Sequence, residues 1–100
     1  MLAEISVAPS DHWDHMSPYV AESVQIIKNS GLEYQLGPMG TVIEGDPEEV
    51  FDLLKLLHLN MRKHSLRVST SVKIDDDVRR SSGRLIGKVV AVENQMQGTA

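Results

Sequence analysis

The order in which the hydrophobic period changes along this chain constrains its fold more than any single residue does. Residues 2–8 alternate, with Ala3, Ile5 and Val7 on one side and Glu4 and Ser6 on the other, the pattern of a half-buried strand. Val20, Val24 and Ile27 then follow i, i+4, i+7 spacing. They lie behind Ser17-Pro18, which reads as an N-cap followed by a proline at the first helical position. Gly31 closes that helix as a left-handed cap. Residues 33–36 and 41–45 read as two strands around Gly37-Pro38-Met39-Gly40, a hairpin loop by composition. Asp46-Pro47-Glu48-Glu49 starts a second helix at capping-box spacing, and Val50, Leu53, Leu54, Leu57 and Met61 form its apolar stripe. Residues 66–74 alternate again: Leu66, Val68, Thr70, Val72 and Ile74 face one way, and Arg67, Ser69, Ser71 and Lys73 the other. Leu85, Val89 and Val92 predict a short C-terminal helix.

Strand, helix, strand, strand, helix, strand, joined by right-handed crossovers, is a ferredoxin-like α+β order, βαββαβ. It predicts a four-stranded antiparallel sheet with two helices on one face, plus the appended short helix. Residues 1–96 make one domain, and 97–100 a frayed tail. The other sheet face collects Glu4, Ser6, Glu33, Gln35, Val42, Glu44, Ser69, Ser71 and Lys73. It is too polar for a second core and is a candidate ligand platform or wet subunit contact. Phe51, Leu56 and Leu59 fall off the stripe of the second helix and need cover from the C-terminal segment or another subunit. A chain of 100 residues buries only about two-thirds of its unfolded surface, so the core is thin. With one Trp, two Tyr and one Phe, that core is aliphatic.

The formal charge of -4 argues against non-specific nucleic-acid binding, which needs many cations to neutralise phosphates. The open sheet face also lacks the stacking aromatics of RNA-recognition modules of this shape. With no Cys, thiolate metal sites, iron–sulfur clusters and Cys nucleophiles are excluded. The loop of residues 9–16 has no Arg or Lys for a phosphate, and Asp11 and Asp14 would repel one, which argues against acylphosphatase chemistry. The opening residues do not resemble a secretory signal, and no stretch approaches the roughly 20 apolar residues of a membrane span. These features predict a cytoplasmic protein without a membrane partner.

The run Gly31-Leu32-Glu33-Tyr34-Gln35-Leu36-Gly37-Pro38-Met39-Gly40-Thr41-Val42-Ile43-Glu44-Gly45 resembles the core signature of the small thiamine-binding protein family. Val72-Lys73-Ile74-Asp75-Asp76 and Ser17-Pro18-Tyr19-Val20 fit the same pattern, so the resemblance spans residues 1–92. The loop bearing His12, Trp13 and His15 departs from it. The resemblance implies a ferredoxin-like subunit in a homodimer or homotetramer. It also implies a pocket for thiamine or its hydroxymethylpyrimidine half, with no catalysis and no cofactor. Such a ligand asks for carboxylates, hydroxyls and apolar walls. Ser6, Tyr34, Met39, Thr41, Glu44 and Asp75 supply those types and are the candidate ligand-binding residues.

Each candidate has a plainer reading. Tyr34 can be an ordinary half-buried strand residue, Thr41 can stabilise a strand start, and Met39 can meet a partner subunit. Glu44 can pair with Lys73 across the sheet, a surface contact of small worth. Trp13 reads as cover for the apolar edge of the first helix, with ligand capping as the alternative. His12-x-x-His15 with Asp11 and Asp14 invites a zinc reading, but no third ligand is fixed. Asp75-Asp76-Asp77 lacks the spacing and Gly of a calcium loop. No metal site is therefore expected. Two rivals remain: a regulatory or scaffold oligomer binding a different small metabolite, and an enzyme using His12, His15 or Glu44. The second lacks a nucleophile–base–orienter set.

Overall fold

A strand paired on both edges can anchor a small sheet, and here that strand is the first one. The computed structural model describes residues 1–12, 14–80 and 82–98; Trp13 lies outside them, as do residues 81, 99 and 100. The elements run β1 (Leu2–Pro9), α1 (Ser17–Asn29), β2 (Glu33–Leu36), β3 (Thr41–Glu44), α2 (Pro47–Met61), β4 (Val68–Asp75) and α3 (Arg84–Gly98). Among the described residues four strands form one sheet in the order β2-β3-β1-β4, and every neighbouring pair is antiparallel. This is the expected ferredoxin-like arrangement. β1 pairs with β3 over Leu2–Ile5 and with β4 along its whole length.

Alternation sends Ala3, Ile5 and Ile43 to one face, where Ile27 of α1 and Val50, Leu53, Leu54 and Leu57 of α2 close over them. The α2 stripe is buried as its spacing requires, Met61 included. Phe51, Leu56 and Leu59 remain exposed, because α3 lies on the other face of the sheet and does not cover α2. Among the described residues no helix is long and apolar enough to cross a membrane.

Several local details differ from the sequence reading. Tyr19 and Val20 both donate backbone N–H groups to the Met16 carbonyl at 3.0 Å, so the first turn begins one residue early. Ser17 is therefore inside α1, and Met16 holds the cap position without a side-chain bond. Asp46 does occupy the α2 cap with extended backbone, yet neither it nor Glu49 closes a side-chain cap bond. Those acids act on the positive helix end through charge alone. Gly31 takes φ 79°, as a left-handed cap demands.

β4 starts at Val68 rather than residue 66, because the Asp11 carboxylate accepts the backbone N–H groups of Leu66 at 3.0 Å and Arg67 at 3.4 Å. The Ser65 hydroxyl also donates to it. This staple bends the chain and leaves Leu66 fully in solvent. The backbone bond from Leu66 foremost, with that from Arg67, holds the Asp11 carboxyl below its ordinary value. α3 is longer than expected and continues through Gly98, past residue 96.

Ile43 has no exposed surface and sits in the centre of this cluster. Ile43→Ala should lower the unfolding free energy by about 2–5 kcal/mol, the range for a buried Ile truncated without collapse. Urea titration followed by circular dichroism checks it.

Candidate functional site

A partly enclosed recess lies on the helix side of the sheet, between α1, β1 and the β2–β3 loop. Its loop is shaped by two glycines. Gly37 N–H donates to the Gly40 carbonyl at 2.9 Å, and a Cβ on Gly37 would stand 2.9 Å from that same oxygen. A Cβ on Gly40 would meet the Ile5 carbonyl at 3.1 Å. Gly37 thus lets the loop close tightly on itself, and Gly40 lets it lie close against β1. The walls are Ile5, Val20, Val24, Ile27, Leu36 and Leu57, with Thr41 and Ser23 also in the lining. The volume is about 150 Å³. A cavity of roughly that size holds one benzene-sized ring. No described residue lining it is charged.

The candidate residues divide. Thr41 lines the recess and is 6% exposed; its register opposite Ile5 and Leu36 places it on the helix face. Met39 stands exposed at the mouth, and Ser6 borders the rim. Tyr34 is half-buried beside Ile43 and borders a separate, open groove between β2 and α3.

Glu44 and Asp75, expected to face a ligand, instead hold α3. Glu44, 6% exposed, accepts the Arg84 backbone N–H at 2.8 Å and that of Leu85 at 3.4 Å, capping α3 from the sheet. The Arg84 guanidinium donates to the Asp75 carboxylate at 2.9 Å and to its carbonyl at 3.1 Å, and Lys88 also donates to that carboxylate. Lys88, then Arg84, draws the Asp75 carboxyl down from 3.8 to about 2. Nor does Glu44 face Lys73 across the sheet: its β1 partner is Leu2, and Lys73 stands opposite Glu4.

His12 is likewise engaged in structural contacts. His12 Nε2–H donates to the His64 carbonyl at 2.7 Å, and the Tyr19 ring packs tilted against both imidazoles, with centroids 4.9 and 5.3 Å away. His64 Nε2 is 2.8 Å from Glu22 Oε2, off the line of a good hydrogen bond. Asp77 is held by Arg79, which lowers its carboxyl. Among the described residues no three His, Asp or Glu side chains converge on a metal position.

Ser23 is a residue of the recess lining that sequence reasoning missed. Its Oγ is buried with no hydrogen-bond partner among the described residues. The signal was present: Ser23 is the one polar residue within the Val20, Val24, Ile27 face.

The family model described as "Thiamine-binding protein" matches residues 3–93. UPF0045 protein MJ1052 of Methanocaldococcus jannaschii is 33% identical over 76 residues, 76% of each chain. UPF0045 protein YqgV of Bacillus subtilis is 29% identical over 102 residues, covering 96% of this chain and 97% of its own. The crystal structure of MJ1052 superposes with TM-score 0.78 at 28% identity, over 90% of this chain and 94% of that one. A Thermotoga maritima protein, provisionally assigned to thiamine biosynthesis or salvage, shares the fold with TM-score 0.75 at 23% identity, over 83% and 89% of the two chains.

Two outcomes follow from the way α3 is held. Glu44→Ala leaves the buried N–H of Arg84 and the part-buried one of Leu85 without this acceptor and should destabilise the protein by about 1–2 kcal/mol, with reduced helicity by circular dichroism. The Asp75 carboxyl is depressed in the folded state, so its contribution is present above its ordinary value. That contribution is lost as pH falls from 3.8 through about 2. Amide signals of α3 should broaden or shift over that window, and Asp75→Asn should abolish the step.

Proposed function

This chain belongs to the thiamine-binding protein family, and from that premise we propose that it binds thiamine or its hydroxymethylpyrimidine half and does no chemistry on it. The observation that carries the reading is the recess between α1 and the Gly37–Gly40 loop. Its volume of about 150 Å³ suits one six-membered ring, its walls are largely aliphatic, and Ser6, Ser23 and Thr41 are the hydroxyl-bearing residues of its lining. The described lining contains no acid, base or strong nucleophile to move a proton or attack a bond, which supports carriage, buffering or sensing over turnover. We place the protein in the cytoplasm. The thiamine-related assignment of the Thermotoga maritima neighbour agrees with the ligand class.

Self-association as a dimer or tetramer belongs to the same reading. Its support is apolar surface left open on two helices: Phe51, Leu56 and Leu59 on α2, and Ile86, Val89 and Val92 on α3.

A ligand that binds only the folded state stabilises it by about 2.7 kcal/mol at a hundredfold excess over Kd. Millimolar hydroxymethylpyrimidine or thiamine should therefore raise Tm by several degrees in a thermal-shift assay. No shift with either compound overturns the reading. A shift only with a different metabolite favours the regulatory alternative. For assembly, sedimentation should show a lighter species for Val92→Asp or Leu59→Asp than for the parent chain; a monomeric parent rules self-association out.

A further inference from the structure

β4 ends the sheet on one side, and its far edge faces no other strand. The Met1 and Gly45 backbones exchange two hydrogen bonds, at 3.0 and 3.2 Å. The odd-numbered residues of β1 therefore aim their peptide groups at β3, and the even-numbered ones at β4. The Ser10 N–H, which donates to the Arg67 carbonyl at 2.8 Å, follows the same rule. In the register of β1 with β4, residues 69, 71, 73 and 75 thus bond β1, while Val68, Thr70, Val72 and Ile74 aim their N–H and C=O groups outward. The pairing runs along all of β4 without a bulge, and β4 contains no proline, so nothing in the strand itself blocks another from adding.

The same edge lacks cover on the helix side. Val72 and Ile74 stand opposite Ile5 and Ala3, facing the helices, yet remain 42% and 41% exposed. His58 Nδ1 and Thr70 Oγ1 hydrogen-bond at 2.7 Å, so that flank of α2 borders β4. Phe51, two turns earlier on the same flank, is 53% exposed. An apolar strip therefore runs beside a row of unpaired peptide groups. A lone extended peptide would satisfy the edge and leave the strip in water. A strand that brings its own helix covers both.

We infer that this edge takes β4 of a second copy, antiparallel about a two-fold axis at Ser71, joining the two four-stranded sheets into one. This register engages every outward residue: Thr70 meets Val72 of the second copy, and Val68 meets Ile74. Exposed Arg67 then falls opposite Asp75 of the second copy, whose side chain is 46% exposed, an opposite-charge pair at each end. Centring on Thr70 instead sets Arg67 against Lys73, two like charges, and centring on Val72 carries Val68 past the end of the strand. The inference rests on the proposed self-association and adds which surfaces meet.

The test pairs sedimentation with amide hydrogen exchange on the full chain. In the assembled parent, the N–H groups of Val68, Thr70, Val72 and Ile74 should exchange at least about tenfold more slowly than after dilution to monomer. Val72→Pro removes an outward N–H at an edge where proline is tolerated, so it should sediment as a monomer with the circular dichroism of the parent. Arg67→Glu faces Asp75 of the second copy with a like charge and should raise the dissociation constant about tenfold, whether or not the proline variant folds. If the parent self-associates while those four amides exchange as fast as in the monomer, strand addition is overturned and association through the helices stands. An unchanged dissociation constant for Arg67→Glu overturns the register centred on Ser71. A parent that stays monomeric overturns self-association itself, and this interface with it.

Discussion

The antiparallel pairing of β1 on both edges is the constraint from which the rest follows. With β3 on one side and β4 on the other, β1 sets the register of the two crossovers and hence which residues face the helices. Ala3 and Ile5 become the floor of the core, and Leu2 and Glu4 are sent to the other side. The same register puts Thr41 beside Ile5, at the edge of the core, where the helices leave a recess. A slip of one residue would send Ile5 and Thr41 to the opposite face and remove the floor.

The two faces of the sheet divide their work by polarity. The helix side excludes charge and leaves space for one ring among aliphatic groups. The other side uses its carboxylates to fasten α3, with Glu44 supplying the helix cap and Asp75 gripping Arg84 and Lys88. Glu44 and Asp75 are therefore committed to architecture. The polar residues of the recess lining carry hydroxyls rather than carboxylates, and its remaining wall is largely aliphatic.

Much of this architecture was legible in the sequence because hydrophobic period survives tertiary context. The buried stripe of α2, the sheet alternation and the strand–loop–strand around residues 37–40 could all be read directly. The site was less legible. Thr41 and Met39 fall where a ligand would pass, but a chemical inventory could not tell that Glu44 caps a helix forty residues later in the chain. That contact depends on α3 lying across the sheet, which no local pattern encodes. Ser23 went unnoticed because a serine on a helix reads as solvated unless its burial is known. The early bend at Leu66 was hidden for a related reason: alternation continues through residues 66 and 67, while the Asp11 carboxylate that ends pairing lies more than fifty positions away.

The β2–β3 loop separates what must stay fixed from what is free to drift. Gly37 and Gly40 touch backbone on their inner side, so both positions are closed to larger residues. Pro38 and Met39, held between them, meet no such limit, and Met39 is almost wholly in water at the threshold of the recess. Side chains at the tip of the loop can therefore change without disturbing the backbone contacts that its two glycines make.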